Sequence, residues 1–424
     1  MCFGEPMTTS TTKERLWRHG DFQKFWTGDT ITQFTGQITN LAIPTIAAVT
    51  LDVTGFQLGI LNALGLLAFP TMGLFVGVWM DRMKRRPVMI VANLIEVVAL
   101  ASIPAAFELG LLNIYQLYIV SLVFGICTLF FDVAYQSYLP SLVGKDDVLE
   151  GNQKLQISAS SAQVAGPSVA SFLMGLMGAA LSIIGDAVGT FAAMITLISI
   201  RKPEPTPQPS GANQERHFFS EMKEGIKVVT GNKLLWTQAG CTATANLGSN
   251  IFYVALILFA YRVLLFTPAE FGIPFSIGAV GFLVGVLLSP RFTSKVGLGR
   301  AIALASAFPF FEFITLVAQG EFKILILGLA LFGGYLGVPI YNINQVSLRQ
   351  IITPNRLQGR MNATMRTIVW GTQPVGSLVG GALVTVLGIT PTLTIGVLVA
   401  GGSFLWIVLG PIFKLKKQPE PVTD

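Results

Sequence analysis

The sequence is poor in charged residues, cysteine and histidine. Only 12% of its 424 residues are Asp, Glu, Lys or Arg, against roughly 25% in soluble domains, which disfavours an ordinary soluble enzyme. The three cysteines, Cys2, Cys127 and Cys241, are far apart, so neither a disulfide framework nor a metal cluster is indicated. The two histidines, His19 and His217, leave little material for metal or general-base chemistry. We therefore expect no metal, no cofactor and no enzymatic activity.

The sequence also lacks the patterns of an export signal and of a nucleic-acid binder. Its first twenty residues are polar and contain no apolar core followed by a small-residue cleavage site. The residues behind the net charge of +6 interrupt long apolar runs such as Leu58 to Met80, Val88 to Phe107 and Ile324 to Ile340. Each run approaches the ~20 residues that cross a bilayer core. The composition predicts a polytopic protein of the lipid bilayer that binds no nucleic acid.

The apolar sequence divides into two blocks of six spans. The breaks between spans fall at residues 52–55, 81–86, 108–113, 144–150 and 178–180 in the first block and at 262–267, 291–299, 319–323, 353–355 and 388–391 in the second. We predict an all-α membrane protein of twelve transmembrane helices in two pseudo-symmetric six-helix bundles. Its predicted parts are a cytoplasmic N-tail (1–21), an N-terminal bundle (22–200), a cytoplasmic linker (201–232), a C-terminal bundle (233–413) and a cytoplasmic C-tail (414–424).

The distribution of Lys and Arg predicts the orientation in the membrane. If both termini are cytoplasmic, all basic residues except Arg262 and Lys323 lie in the tails or in cytoplasmic loops and span ends. Such a bias follows the positive-inside rule. We therefore expect a multi-pass protein with both termini in the cytoplasm.

The middle of the chain has the pattern of a connector. Arg201 to Ala212 contains four prolines, which favour an extended coil. Apolar residues then recur at helical spacing among acidic and basic ones, which predicts an amphipathic helix. This helix either lies on the inner membrane surface or is a solvated connector. Its apolar positions are Phe218, Phe219, Met222, Ile226 and Val229.

The two blocks contain a weak internal repeat at an offset of about 210 residues. Phe25-Trp26-Thr27 in the first span corresponds to Leu235-Trp236-Thr237 in the seventh, and Gly36 corresponds to Gly248. A further match joins Leu142 through Gly166 to Ile351 through Gly376. A duplicated six-span unit predicts two halves that move about a site at their shared midplane.

The loop between spans two and three carries the most specific motif. Residues 77–87 read Gly-Val-Trp-Met-Asp-Arg-Met-Lys-Arg-Arg-Pro, which resembles the Gly-x-x-x-Asp-Arg-x-x-Arg-Arg signature of the major facilitator superfamily. The resemblance implies twelve helices in two pseudo-symmetric halves. The matching residues form a predicted gating motif, in which Gly77 permits close helix approach and Asp81 holds the cytoplasmic side closed through a helix N-terminus or a basic residue. The motif residues are Gly77, Asp81, Arg82, Arg85 and Arg86.

Spans four and five resemble one branch of that superfamily. Gly166 and Pro167 in span five match part of the Gly-Pro motif of its antiporter-type exporters, although Ala170 and Ser171 replace later glycines of the motif. The stretch 130–143, followed by 149–152, is similar to bacterial exporters of the macrolide-efflux and enterobactin-exporter type. This resemblance implies a bacterial inner-membrane efflux protein. Span four lacks the intramembrane arginine of many proton-coupled exporters, so their proton relay does not transfer to this chain.

Five acidic residues lie within predicted spans. Placing an ionised side chain in the bilayer costs several kcal/mol of free energy unless it has a partner or faces a water-filled cavity, so each of these residues is a candidate for a functional or structural role. They are Asp29, Glu96, Asp132, Asp186 and Glu312. In the superfamily, spans one, four, seven and ten line the cavity, which favours Asp29 and Asp132. Two carboxylates in a poorly hydrated cavity resist being charged together. We predict that this pair couples export to protons; the alternative is that the two acids only bind helix termini.

Polar and aromatic residues on the same four spans are the predicted substrate contacts, although Asn and Gln between membrane helices are often packing contacts. Amides and phenols among apolar side chains suit an amphipathic organic molecule. They are Gln33, Gln37, Tyr135, Gln136, Asn246, Asn250, Tyr253, Tyr335, Tyr341, Asn342 and Gln345.

These patterns favour a monomeric secondary transporter that exports a small-molecule substrate (a drug, macrolide-like or siderophore-like) by alternating access in exchange for protons. An importer or uniporter of a small metabolite is the alternative, since one fold serves both directions. A lipid-modifying enzyme is disfavoured by the placement of the two histidines, and a sensor without turnover is a third possibility.

Overall fold

The computed structural model describes residues 16, 19–80, 82–144, 147–204 and 214–420, and within these ranges it gives no side-chain environment at positions 74, 78, 214–222 and 355. The described residues form helices and no strand. The helices, in chain order, are α1 Gly20–Thr45, α2 Gly55–Met80, α3 Arg85–Glu108, α4 Ile114–Val143, α5 Val148–Met177, α6 Ala179–Ser199, α7 Gln214–Gly231, α8 Lys233–Leu258, α9 Pro268–Val296, α10 Leu298–Ala307, α11 Lys323–Ile351, α12 Asn355–Leu387, α13 Ile389–Gly402 and α14 Phe404–Leu409.

A helix begins or ends in every interval where the sequence predicts a break between spans, except at 262–267, where a π-turn that continues α8 ends at Val263. Three of these turns consist of a single glycine, namely Gly178 between α5 and α6, Gly297 between α9 and α10 and Gly388 between α12 and α13, with φ of 82°, 87° and 90°. Positive φ is strained for other residues, so glycine permits the reversal without a longer loop. Gly178 and Gly388 occupy corresponding places in the two halves, as a duplicated unit requires.

The first helix of each half ends in the same irregular way. A π-turn at Ile46–Thr50 continues α1, and another at Phe259–Val263 continues α8. The amide of Leu51 donates to the Ile46 carbonyl at 3.0 Å, and that of Leu264 donates to the Phe259 carbonyl at 2.9 Å. Because π-turns are rare, this match at an equivalent position supports the pseudo-symmetry expected of the fold.

Nine helical segments in the described part are long and apolar enough to cross a membrane. Three other long helices of the two halves are not among these nine segments because they are more polar. They are α1, α5 and α12, of 26, 30 and 33 residues. Two of them meet the opposite half, α5 against α9 and α12 against α2. A helix that packs on protein tolerates more polar residues than one that faces lipid, so hydropathy undercounts helices of this kind.

The buried apolar residues form three clusters that differ between the two ends of the bundle. We call the end at which α6 leads toward α7 the linker end, and the opposite end the far end. At the far end one continuous cluster joins both halves, from Ile38 and Leu58 to Phe271 and Val397. At the linker end each half has a cluster of its own. In the part of the chain that the structure describes, the halves therefore share a buried apolar core only at the far end.

The connector between the halves is anchored at both of its described ends. On the N-terminal side, the Asp21 carboxylate accepts hydrogen bonds from the amides of Arg201 and Lys202 at 2.9–3.3 Å. On the other side, α7 packs against α12, where Val229 is buried and Glu224 forms an ion pair with Arg360. Of the predicted apolar positions on this helix, Ile226 is exposed, and the side chains at 218, 219 and 222 lie outside the described residues.

Candidate transport cavity

A cavity of about 560 Å³ lies between the two halves toward the linker end. We call it the central cavity. Its volume falls within the range of about 300 to 1,000 Å³ that is typical of sites for organic ligands. Its walls come from α2 and α4 of the first half and α11 and α12 of the second. The lining residues are Phe69, Gly73, Gly77, Leu129, Asp132, Val133, Gln136, Ser137, Arg349, Gln350, Gly359, Asn362, Ala363, Arg366, Thr367 and Trp370.

Two aromatic rings join the halves at the inner limit of the central cavity. Phe69 of α2 and Trp370 of α12 meet edge to face, with 4.8 Å between ring centroids. Beyond them, toward the far end, a β-carbon on Gly59 would overlap the backbone of α12 at Ser377 and Gly381. The cavity therefore ends where α2 and α12 come into backbone contact.

Hydrogen bonds and one ion pair close the far end. The Ser171 hydroxyl of α5 accepts from the Gly272 amide of α9 at 2.5 Å, and the hydroxyls of Ser168 and Ser276 are 2.8 Å apart. Thr45 and Tyr261, at the ends of the first helix of each half, share a hydrogen bond of 2.7 Å between their hydroxyls. Beside these, Arg262 donates to Asp52 at 2.6 Å and to the Val53 carbonyl at 2.7 Å. In this conformation the halves are joined at the far end and separated by a cavity at the linker end.

The predicted antiporter-like motif lies at helix crossings. A β-carbon on Gly166 would overlap the side chain of Gln37, so the glycine lets α5 approach α1. The carbonyl oxygen of Pro167 lies so close to Gly272 that no β-carbon fits there. Gly166 and Pro167 thus place α5 against α1 on one side and against the opposite half on the other.

A second cavity, of about 230 Å³, lies within the first half among α1, α3 and α4. We call it the acidic cavity, because the carboxylates of Asp29, Glu96 and Asp132 all line it. Asp29 is only 3% exposed, and its Oδ1 lies 3.5 Å from Nε2 of Gln33. Asp132 also lines the central cavity. The predicted pair Asp29 and Asp132 therefore shares one cavity, and Asp132 connects it to the space between the halves.

Glu96 is not one of the predicted coupling residues, but the structure places it beside them. Among the described residues, α3 contributes none to the lining of the central cavity, whereas its Glu96 and Asn93 line the acidic cavity. The other two acidic candidates do not line this cavity. Asp186 accepts hydrogen bonds from Thr39 and Thr190, and Glu312 is buried against Gly334, with its Oε2 lacking a hydrogen-bond partner among the described residues. The acidic cavity is therefore lined by three carboxylates instead of the two that were predicted to form a pair.

Two arginines of the central cavity were missed by the sequence reasoning. The distribution of Lys and Arg predicts that Arg349 and Arg366 belong to the cytoplasmic loop between spans ten and eleven, whereas they lie in α11 and α12 and line the cavity. Arg366 lies eleven residues into α12, and its guanidinium is 5.5 Å from the centre of the Trp370 ring. Counting from the predicted break at 353–355 would have placed Arg366 inside the span.

The predicted substrate contacts of the first half line the two cavities. Gln33, Gln37 and Tyr135 line the acidic cavity, and Gln136 lines the central one. Tyr135 also stacks on Phe25, with 5.3 Å between ring centroids. These four residues surround the same two spaces as the carboxylates.

The predicted substrate contacts of the second half mostly pack against other helices. Asn246 donates to the Val369 carbonyl, Asn250 donates to the Asn246 carbonyl, and Tyr341 shares a 2.7 Å hydrogen bond with Thr242. Tyr253 packs against Phe275. The remaining three are the buried Gln345, the half-buried Tyr335 and the exposed Asn342.

Arg85 and Arg86 of the gating motif contact the end of α6 and the start of the linker. The backbone amides of Arg85 and Arg86 donate to the Glu204 carboxylate at 2.7 and 3.1 Å, which caps the N-terminus of α3. The Arg86 side chain donates to the carbonyls of Leu197 and Ile198 at the end of α6. Gly77 lines the central cavity, Arg82 is exposed, and Asp81 lies outside the described residues.

Replacing Glu204 by glutamine should loosen this cap. The neutral amide retains one acceptor oxygen but loses the charge that attracts Arg85 at 3.6 Å and the α3 N-terminus. We expect a loss of about 1 kcal/mol of stability, seen as a lower midpoint of thermal unfolding of the purified protein. Glu108→Gln, at the exposed C-terminal end of α3, is the control. An unchanged midpoint for Glu204→Gln would contradict the capping role.

Comparison with known proteins agrees with this architecture. The profile described as the Major Facilitator Superfamily matches residues 25–369. The enterobactin exporter of Citrobacter koseri is 26% identical over 373 residues, covering 83% of each chain. Macrolide efflux protein A of Streptococcus pyogenes is 26% identical over 378 residues, covering 87% of this chain and 90% of that protein.

Solved structures share the fold. A bacterial homologue of the iron transporter ferroportin, in an inward-facing state, superposes with a TM-score of 0.76 at 14% identity and covers 93% of this chain and 99% of its own. The nucleoside transporter NupG superposes with a TM-score of 0.71 at 15% identity, covering 93% of this chain and 100% of its own. At such identities the likeness concerns the fold alone.

Proposed function

The chain belongs to the major facilitator superfamily, and on that premise we propose that this multi-pass membrane transporter exports amphipathic organic compounds by alternating access in exchange for protons. The observation that carries the proposal is the central cavity, which separates the halves at the linker end while hydrogen bonds join them at the far end. The similarity to an enterobactin exporter and a macrolide efflux protein supports export.

The lining of the central cavity supports an amphipathic substrate. Phe69 and Trp370 offer aromatic surface, while Gln136, Asn362 and Thr367 offer hydrogen-bonding groups. Such a mixture of apolar walls with a few polar groups is typical of sites for organic molecules. A drug, macrolide-like or siderophore-like compound fits this chemistry better than a small inorganic ion does.

The acidic cavity supports proton exchange. Asp29, Glu96 and Asp132 line one small space in the membrane-spanning part of the first half, where repulsion between carboxylates favours keeping a proton among them. Asp132 faces both cavities, so a proton bound there is sensitive to whatever occupies the central cavity. We propose that proton release at one side of the membrane and uptake at the other drives export.

The distribution of basic residues also supports an orientation of the protein in the membrane. The linker end, with most of the Lys and Arg residues, faces the cytoplasm of a bacterial cell by the positive-inside rule. The described conformation then presents the central cavity to the cytoplasm, ready to receive substrate. We propose that the protein works in the inner membrane as a monomer.

Transport into everted membrane vesicles tests direction and coupling together. With an acidic lumen established and reported by a quenched pH-sensitive dye, a macrolide or enterobactin that is exchanged for protons should restore the dye fluorescence. Cells that express the protein should accumulate less of the same compound. Vesicles that lack the protein are the control. Higher cellular accumulation on expression would favour the alternative, an importer or uniporter on the same fold.

A further inference from the structure

We propose that the central cavity selects organic anions that carry an aromatic ring, with Arg349 and Arg366 binding the anionic group and Trp370 contacting the ring. This inference rests on the proposed function, because it takes the central cavity as the substrate site. It goes further by assigning the charge of the substrate, which the names of the two exporters leave open. The cavity places both guanidinium groups on the wall formed by the second half.

Arg349 is the first support. It lies two residues before the end of α11, is half-buried, and lines the central cavity. Its Nε is buried without a hydrogen-bond partner among the described residues. A desolvated guanidinium donor without an acceptor is costly. An anionic group in the cavity would supply the missing acceptor, and guanidinium binds carboxylate-like groups through paired hydrogen bonds.

Arg366 is the second support. Its guanidinium lies over the ring of Trp370, an arrangement that holds the cation by its attraction to the aromatic face. Among the described residues no carboxylate oxygen lies within 4.0 Å of it. The side chain is exposed to the cavity. A positive charge and an aromatic ring are therefore presented side by side, which matches a ligand that has an anionic group next to a ring.

Asp132 on the opposite wall does not cancel this charge. Asp132 lies eleven residues before the end of α4, and Arg366 lies eleven residues after the start of α12. Both are therefore at the same depth, about 16 Å along their helices from the linker end. However, the cavity lining contains one carboxylate and two guanidinium groups, so the carboxylate can balance only one of the two positive charges. Asp132 also shares the acidic cavity with Asp29 and Glu96. The wall of the second half therefore remains a site for an anion, and a cationic amphiphile would meet like charge there.

Three probes with the same fluorescent ring and different charge test this inference. Dansylglycine is an anion, dansylglycinamide is neutral and dansylcadaverine is a cation. Binding to the purified full-length protein is followed by energy transfer from tryptophan to dansyl. We expect dansylglycine to bind at least about tenfold more tightly than dansylglycinamide, and dansylcadaverine to bind most weakly, since hydrogen bonds between charged partners are stronger than neutral ones.

The matched variants separate a direct contact from general electrostatics. In Arg349→Gln/Arg366→Gln the preference for dansylglycine should disappear, while Arg366→Lys should retain part of it. Arg356→Gln removes the same charge from an exposed position on α12 that is not among the residues lining the cavity, and it should keep the preference. Equal or tighter binding of dansylcadaverine, no binding of dansylglycine, or a preference that survives the double substitution would overturn the inference.

The binding and vesicle experiments together distinguish failure of the charge assignment from failure of the proposed function. If dansylglycine binds with the expected preference but causes no recovery of dye fluorescence in everted vesicles, the charge selectivity stands and proton-coupled export fails. If a compound is exported in exchange for protons but the dansyl series shows no preference for the anion, export stands and the charge assignment fails.

Discussion

Substitution of Gly272 by valine is expected to reduce transport at least about twentyfold. Even a β-carbon at this position would overlap the carbonyl oxygen of Pro167 and the hydroxyl of Ser171 on α5. A helix backbone does not move aside as a flexible side chain does, so overpacking here forces α5 and α9 apart. The far end then fails to close, and the transporter loses the conformation that presents its cavity at the linker end. Initial transport rates in proteoliposomes measure the effect.

Two further variants make this prediction interpretable. Gly402→Val places the same side chain where nothing lies within 4 Å of the new β-carbon, and transport should stay near the wild-type rate. Gly59→Ala introduces the equivalent overlap at the crossing of α2 and α12, so it should also impair transport even if Gly272→Val folds poorly. Correctly folded Gly272→Val protein that transports at the wild-type rate would show that this crossing need not close.

The double substitution Asp29→Asn/Asp132→Asn should uncouple transport from protons. Asparagine keeps the size and much of the hydrogen bonding of aspartate but does not exchange a proton. We expect the proton-driven accumulation of substrate in everted vesicles to fall at least about tenfold, while movement of substrate down its own gradient continues. Glu108→Gln, an exposed carboxylate at the end of α3, is the matched control and should remain coupled.

The third acid of the cavity refines this test. Glu96 lines the same space as Asp29 and Asp132, so Glu96→Gln alone should weaken coupling if protons are shared among the three. Accumulation against a gradient at the wild-type rate in the Asp29→Asn/Asp132→Asn protein would remove both residues from the coupling mechanism. The two aspartates would then have the structural role that the sequence leaves open.

The helix boundaries were predictable because short turns leave local signals in the sequence. The single-glycine turns at Gly178 and Gly388 fall within predicted breaks, and the charged loop at 82–84 separates α2 from α3. Membrane helices are long and their connections short, so interruptions in hydropathy locate them well. The matching π-turns at Ile46–Thr50 and Phe259–Val263 are consistent with the repeat at an offset of about 210 residues, although the sequence does not predict the turns themselves.

The direction in which each helix faces could not be predicted in the same way. Glu96 lines the acidic cavity from α3, which is not one of the four spans predicted to line the transport cavity, and Arg366 lines the central cavity from within α12 instead of from a loop. Rotation and depth of a membrane helix are set by packing against its neighbours, which a single sequence does not display. A single sequence also does not reveal contacts between residues that are far apart in the chain, such as the cap that Glu204 forms on α3 from 119 residues away.

The most direct test of alternating access is the pair of distances across the two ends of the bundle, measured by spin-label spectroscopy. In protein whose three cysteines are replaced by serine, one label pair at positions 137 and 362 spans the central cavity, and another at positions 57 and 385 spans the far end. Under turnover, with substrate and a proton gradient, we expect the distance across the central cavity to shorten in part of the protein population, and the distance across the far end to lengthen under the same conditions. Two distances that remain fixed, or that lengthen and shorten together, would contradict it.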